Sequence, residues 1–143
     1  MMSGLLALTV SSVFAGAAFY INFAEQPARM RLEPGTALQQ WRPSYKRGFM
    51  MQASLAIIGS VFALWAYIVS SDWRWLAGGA FLIANWPYTV FAMLPLNNRM
   101  MQVETDGSEN EVTSMLSRWN RLHALRTVLG IFASVIFIWT LVE

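Results

Sequence analysis

The sequence predicts an all-α fold, an integral membrane four-helix up-down bundle with short interfacial amphipathic helices on the cytoplasmic side. Composition is the first reason, because 56% of the 143 residues are hydrophobic and the mean hydropathy is +0.42. The second reason is that four apolar stretches approach the length of about 20 residues that a membrane-spanning helix needs. The third is that short connections between them favour an up-down order. We therefore predict a single domain, residues 1–143, with spans at approximately 5–23, 49–69, 75–94 and 122–142.

The first stretch is predicted to be a retained helix rather than a cleaved secretory signal. It has no basic segment in front of it and continues without a convincing cleavage site. Ala7, Ser11 and Ala15 recur at a spacing of four residues, which makes a smooth stripe for close helix packing. The same stripe permits a homo-oligomer. We expect this helix to end in polar residues just before Pro27.

The second span follows an amphipathic segment that ends in residues 41–45, and this segment is expected to lie on the inner membrane interface. The third span contains Asn85 and Pro87, and a kink is expected because proline cannot donate a backbone hydrogen bond. Asn85 lies roughly 15 Å from the inner end of the span, at a rise of 1.5 Å per residue. For its buried amide we favour an interhelical hydrogen bond over a contact with a ligand.

The fourth helix is expected to start near Glu111, after a solvated acidic loop, and to continue into the last span. Trp119, His123 and Arg126 follow one another at i, i+4 and i+7, so they share one face of this helix. The imidazole titrates near neutral pH in water, which suits proton abstraction at physiological pH. The guanidinium stays charged and could stabilise an enolate or phenolate oxygen.

Basic residues predict the orientation in the membrane. Nine of the ten Lys and Arg residues lie within 24–48 or 95–126, and only Arg74 lies in the other loop. The positive-inside rule then places loops 24–48 and 95–122 in the cytoplasm and both termini outside.

Composition also excludes several kinds of site. The chain has no cysteine, so disulfides, thiolate ligands and thiol nucleophiles are excluded. Its single histidine excludes bis-histidine haem ligation within one chain, and haem or a bound metal is disfavoured. A net charge of +2 is too small to indicate binding to nucleic acid. We therefore predict no cofactor and no metal site.

Polar residues collect at the inner ends of all four predicted helices, whereas the outer halves carry almost nothing ionisable. Ionisable groups at membrane depth are costly and usually face a cavity or each other. Simpler interpretations of these residues remain open. Glu25 and Arg29 could form only an ion pair at the end of a helix. Asn97 and Asn98 could only terminate the third helix, and Trp119 could be only an interface anchor.

Three segments carry a resemblance to a known family: Trp41-x3-Tyr45-x2-Gly48, then Pro95-Leu96-Asn97-Asn98, then Trp119-x3-His123-x2-Arg126. Together they resemble the anthrone oxygenase-like family of small four-helix membrane proteins, most of them bacterial, over residues 16–126. Fungal members help convert anthrones to anthraquinones and oxygenate an activated aromatic carbon without a metal or flavin. The resemblance implies that His123 removes a proton and that Arg126, Asn97 or Asn98 holds the resulting oxyanion. It also implies a bacterial inner membrane, with periplasmic termini.

The leading hypothesis is a cofactor-independent monooxygenase that acts on an anthrone-like or quinone-like molecule in a cytoplasm-facing pocket. The alternative is a non-catalytic module that binds a lipid or quinone or assists a partner protein. A small transporter fits less well, because the outer half lacks polar residues. The expected partners are a hydrophobic aromatic or lipid-like small molecule and membrane lipids. The candidate catalytic residues are His123, Arg126 and Asn97, and the candidate substrate-binding residues are Trp119, Asn98, Tyr45, Trp41, Glu25, Asn22 and Gln52.

Overall fold

Four long helices make up the computed structural model, which describes residues 2–143. They are α1 (Met2–Arg29), α2 (Pro34–Ser70), α3 (Arg74–Gln102) and α4 (Glu109–Val142), and each is long and apolar enough to cross a membrane. Helix α1 packs against α2 and α4, and α3 packs against the same two helices. Consecutive helices are therefore antiparallel neighbours, which confirms the predicted all-α four-helix up-down bundle.

The helices extend beyond the predicted spans at the basic end of the bundle, which we call the inner end. Residues 41–45 do not form a separate interfacial helix, because α2 is continuous from Pro34 to Ser70 and contains Pro43 in its interior. The reason is burial: Leu38 and Trp41 are fully buried in the bundle instead of lying on its surface. Helix α4 starts at Glu109, where Ser108 caps it by accepting a hydrogen bond from the backbone N–H of Glu111.

Two π-helical turns interrupt the regular α-helices at the inner end. One spans Ile21–Glu25 in α1 and the other spans Thr89–Met93 in α3. Each is followed two residues later by a proline, Pro27 and Pro95 respectively. A proline lacks the backbone N–H and crowds the preceding turn, and the wider turn lets the helix continue past it. Helix α1 therefore does not end before Pro27 as predicted but reaches Arg29.

The interior consists of two apolar clusters with a polar layer between them. The outer cluster comprises Ala7, Phe14, Ala18, Ala56, Ala63, Ala66, Trp75, Leu82, Ala133 and Phe137. The inner cluster comprises Ala37, Leu38, Trp41, Met93, Leu96, Met100, Val112, Met115, Leu116 and Trp119. Every helix contributes to the polar layer between these clusters: Asn22 from α1, Gln52 from α2, Asn85 and Thr89 from α3, and His123, Arg126 and Thr127 from α4.

The outer end of the bundle is held by one arginine. Arg74 donates hydrogen bonds to Asp72 at 2.7 Å and to the side chain of Glu143 at 2.8 Å, and its guanidinium lies 4.9 Å from the ring centroid of Trp139. The hydrogen bonds from Arg74 hold the pKa of the Asp72 carboxyl below its usual range. This ion pair links the connection between α2 and α3 to the end of α4.

Candidate functional site

His123 lies at the centre of the polar layer and is only 2% exposed. Its Nδ1 is 2.9 Å from Oδ1 of Asn22, which comes from the π-helical turn of α1. The amide of Asn22 is oriented by Asn120, whose backbone carbonyl and side-chain oxygen lie 3.0 and 2.7 Å from Asn22 Nδ2. Because a backbone carbonyl can only accept, the NH₂ group of Asn22 must face Asn120.

This orientation determines the tautomer of the histidine. The oxygen of Asn22 also accepts a hydrogen bond from Thr127 Oγ1 at 2.6 Å, so it acts as an acceptor toward both neighbours. The imidazole Nδ1 therefore carries a hydrogen, and in the neutral ring the lone pair is on Nε2. No group among residues 2–143 is hydrogen-bonded to Nε2. The ring is thus arranged as a proton acceptor whose basic atom is free.

Aromatic rings form one wall beside the histidine. The imidazole stacks on the ring of Trp119, with centroids 4.9 Å apart. Trp119 meets Trp41 edge to face at 5.8 Å, and Trp41 stacks almost parallel on Tyr45 at 4.7 Å. Such flat and rigid surfaces suit a planar aromatic ligand.

Two buried arginines border the same region. Arg126 is 6% exposed, and its guanidinium lies 5.8 Å from the ring centroid of Phe14. Arg29 is 3% exposed, and its guanidinium lies 5.9 Å from the ring centroid of Trp119. Arg126 makes no ion pair with a carboxylate among the described residues, so its positive charge favours an anionic group on a ligand.

A network of hydrogen bonds holds Arg29 in place. Its guanidinium donates to side-chain oxygens of four residues, and one of them, Glu25, forms the ion pair that the sequence spacing suggested. Gln26 is itself anchored because its Nε2 donates to the backbone carbonyl of Leu116 at 3.0 Å. The four acceptors are Glu25, Gln26, Gln40 and Ser44.

These groups surround a cavity that we call the histidine cavity. Its outline encloses about 360 Å³ up to the mouth, of which water-sized molecules can occupy only about 20 Å³. That space is enough for roughly one water, so a larger ligand must displace side chains. The lining residues are Ile21, Arg29, Trp41, Ser44, Tyr45, Gly48, Phe49, Gln52, Met93, Trp119, His123 and Arg126.

Buried donors without an acceptor are the most informative feature of the histidine cavity. Trp41 Nε1, Gln52 Nε2, Trp119 Nε1 and Arg126 Nε are all buried and make no hydrogen bond within the described chain. A buried donor left unpaired costs roughly 1–3 kcal/mol, and all four belong to residues that line one cavity. A ligand that brings acceptor oxygens, above all an oxyanion, would satisfy them.

The structure brings together most of the predicted site residues. His123, Arg126, Trp119, Tyr45, Trp41 and Gln52 line the histidine cavity, while Asn22 and Glu25 lie behind it as the partners of His123 and Arg29. The two remaining candidates are placed differently. Asn97 is buried next to the Tyr45 hydroxyl but does not line the cavity, and Asn98 is exposed.

Sequence reasoning did not include several groups that the structure places at the cavity: Arg29, Ser44 and Phe49. A signal for the first was present, because Asn22, Gln26 and Arg29 follow one another at i, i+4 and i+7. This is the same spacing that identified the stripe on α4. No group of three or more His, Cys, Asp or Glu residues that could hold a metal ion occurs within residues 2–143.

Comparison with known proteins identifies relatives of similar length. The sequence profile of the family described as "Anthrone oxygenase" matches residues 41–136, which include His123 and Arg126 but not the α1 partners Asn22 and Arg29. Anthrone oxygenase ptaC of Pestalotiopsis fici is 29% identical over 118 residues, which cover 73% of this chain and 84% of the relative. An anthrone oxygenase of Claviceps purpurea is 26% identical over 144 residues, covering 91% of this chain and 83% of the relative. No solved structure matches the chain.

The tautomer of His123 can be tested directly, because the chain contains one histidine. In protein with ¹⁵N-labelled histidine, we expect the NMR spectrum to show a protonated Nδ1 and an unprotonated Nε2. Asn22→Leu removes the acceptor of the Nδ1 hydrogen, so the population should shift toward the other tautomer. Asn110→Leu, at an exposed position at the start of α4, serves as the control and should leave the spectrum unchanged. A wild-type spectrum with the hydrogen on Nε2 would contradict this geometry.

Proposed function

The chain belongs to the anthrone oxygenase family, and from this membership and the histidine cavity we propose that it oxygenates an anthrone-like aromatic molecule. The observation that supports the proposal best is the arrangement at His123. The Asn22 side-chain carbonyl accepts the Nδ1 hydrogen, so Nε2 is left as the basic atom. His123 lines the same cavity as the four residues that carry unpaired donors. A base and an oxyanion-binding group on one cavity are the two elements that enolate chemistry requires.

The proposed reaction starts at the methylene carbon opposite the ring ketone of an anthrone. His123 Nε2 takes a proton from this carbon, and the electron pair of the C–H bond moves toward the ketone to give an enolate. Arg126 and the unpaired N–H donors stabilise the enolate oxygen, since such preorganised donors act where negative charge develops. Trp119 and Trp41 hold the planar rings.

Dioxygen then supplies both the oxygen atom and the oxidising power. It forms a bond to the electron-rich carbon, and the peroxide takes up a proton to become a hydroperoxide. Loss of the second C–H proton and cleavage of the O–O bond leave a second ring ketone and release water. One oxygen atom of O₂ enters the product and the other enters water, so electrons balance without a separate reductant. In line with what the resemblance implies, we propose that the reaction needs no metal, haem or flavin.

The same cavity also supports the alternative of a non-catalytic module that binds a quinone. A quinone offers carbonyl acceptors to the four unpaired donors without requiring any step at His123. The two functions differ in what the imidazole does, so a variant of His123 separates them.

We expect His123→Ala to lower the rate of anthrone oxidation by about 10²–10⁴-fold, the usual contribution of a general base. The measurement is O₂ uptake together with anthraquinone absorbance, with the protein-free oxidation of anthrone subtracted. Asn110→Ala should retain the wild-type rate. A folded His123→Ala protein that turns over at the wild-type rate would refute the catalytic assignment, and a wild type that binds anthraquinone without oxidising anthrone would favour the quinone-binding module.

For the orientation in the membrane we propose that the inner end faces the cytoplasm and that both termini lie outside. The distribution of basic residues supports this. The bacterial inner membrane and its periplasm remain predictions that rest on the resemblance, since the relatives from Pestalotiopsis fici and Claviceps purpurea are fungal.

Because the chain contains no cysteine, single cysteines can report this orientation. Ser108→Cys lies in the α3–α4 connection and Trp73→Cys lies in the α2–α3 connection. In intact cells we expect a membrane-impermeant maleimide to label the second variant and to leave the first unlabelled until the cells are opened. The reverse pattern would overturn the proposed orientation.

A further inference from the structure

A second cavity lies on the other side of Arg126, between α2 and α3. It is lined mostly by apolar side chains, with Asn85, Thr89 and Arg126 as the polar members. We propose that this cavity is a subsite for a hydroxyl group on the outer ring of the aromatic ligand, with Oδ1 of Asn85 as the acceptor. The class of ligand rests on the proposed function, whereas the acceptor role of Asn85 rests on the geometry alone. We call this space the Asn85 subsite.

The orientation of the Asn85 amide is determined by its own helix. Its Nδ2 donates to the backbone carbonyl of Leu82 at 3.0 Å. A flipped amide would place two oxygens against each other, so the NH₂ group must face Leu82. The expected interhelical hydrogen bond is therefore absent among the described residues, and the other side of the amide presents Oδ1.

This oxygen is a buried acceptor without a partner. Asn85 is 2% exposed, and its Oδ1 makes no hydrogen bond in the described part of the chain. Burial of an unpaired polar atom costs free energy that a suitable donor recovers. A neutral hydroxyl is the matching donor in an apolar cavity, because a charged donor would have to be desolvated at a far higher cost.

The two cavities are neighbours and share part of their lining. Phe49 and Arg126 belong to both, so their side chains form the partition between them. Along α3, Met93 lines the histidine cavity and the next residue, Leu94, lines the Asn85 subsite, so the two cavities adjoin.

The two cavities differ in the unpaired groups of their lining residues. Those of the histidine cavity carry four unpaired N–H donors beside the free Nε2 of His123, whereas Asn85 adds an unpaired acceptor to the subsite, which shares Arg126 with the histidine cavity. One planar ligand would match both if it carried a ketone or oxyanion on its central ring and a hydroxyl on an outer ring. Water-sized molecules can occupy only about 40 Å³ of the subsite, so this ligand must move the Phe49 and Arg126 side chains when it binds.

Binding of two stable quinones tests the subsite independently of turnover. Anthraquinone and 2-hydroxyanthraquinone are titrated into detergent-solubilised wild type and Asn85→Leu, and the dissociation constants are measured by tryptophan quenching. Leucine is of similar size and leaves no unpaired oxygen, so the variant should fold. We expect the hydroxyl to tighten wild-type binding about tenfold and Asn85→Leu to abolish this preference while leaving the affinity for anthraquinone unchanged. Asn110→Leu should behave as wild type.

Several results would overturn the subsite. One is a preference that survives in Asn85→Leu, and another is a wild type that binds neither quinone or binds both equally. An equal loss of affinity for both quinones in the variant would assign Asn85 to packing. A third titration, with a monoacylglycerol, tests whether the hydroxyl that binds Asn85 comes from a lipid instead of an aromatic ligand. Loss of only its binding in Asn85→Leu, with no effect on the quinones, would assign the cavity to lipid and refute the proposal.

The outcome is distinguishable from failure of the proposed oxygenase. If wild type fails to oxidise anthrone yet shows the hydroxyl preference that depends on Asn85, the subsite stands and the catalytic proposal falls. If anthrone is oxidised through His123 but the hydroxyl preference is absent, the catalytic proposal stands and the subsite falls.

Discussion

Asn22 connects the first helix to the fourth through three hydrogen-bonding neighbours. Its amide donates to Asn120 and its oxygen binds His123 and Thr127. Inside helices long enough to cross a membrane, an unpaired polar side chain costs free energy, which favours pairing of Asn22 with His123 within the bundle. This pairing places the imidazole in one tautomer and one position, and the chemistry that we propose depends on both.

Some side chains of the polar layer have all their hydrogen-bond partners, whereas others have unpaired atoms. Arg29 has a full set of acceptors, and Asn22 has partners on both sides of its amide. Of the six buried side-chain atoms without a partner in the described chain, five belong to residues that line two adjoining cavities, and the sixth is Asn97 Oδ1. A bundle that needed these groups only for packing would have no reason to leave them unpaired, since replacement by apolar residues of similar shape costs little. Binding of an oxygen-bearing ligand accounts for both the groups and their placement.

The fold and the α4 part of the site could be predicted from the sequence, because span length and helical spacing are local properties. Trp119, His123 and Arg126 share a face for that reason. The parts that could not be predicted depend on the two π-helical turns, each of which adds a residue and rotates the rest of its helix. The turn at Thr89–Met93 changes the faces of Asn97 and Asn98, which do not line the cavity. The turn at Ile21–Glu25 lets α1 pass Pro27, so that Arg29 becomes a buried residue of the site.

The central claim is that His123 Nε2 and the unpaired donors face one bound aromatic ligand. An experimental structure of the protein with 2-hydroxyanthraquinone tests it most directly. We predict planar density between Trp119 and Arg126, with a ligand carbonyl oxygen within hydrogen-bonding distance of Arg126 Nε and the ring system beside His123 Nε2. Density for the ligand elsewhere, or a protein group that is hydrogen-bonded to Nε2, would contradict the account.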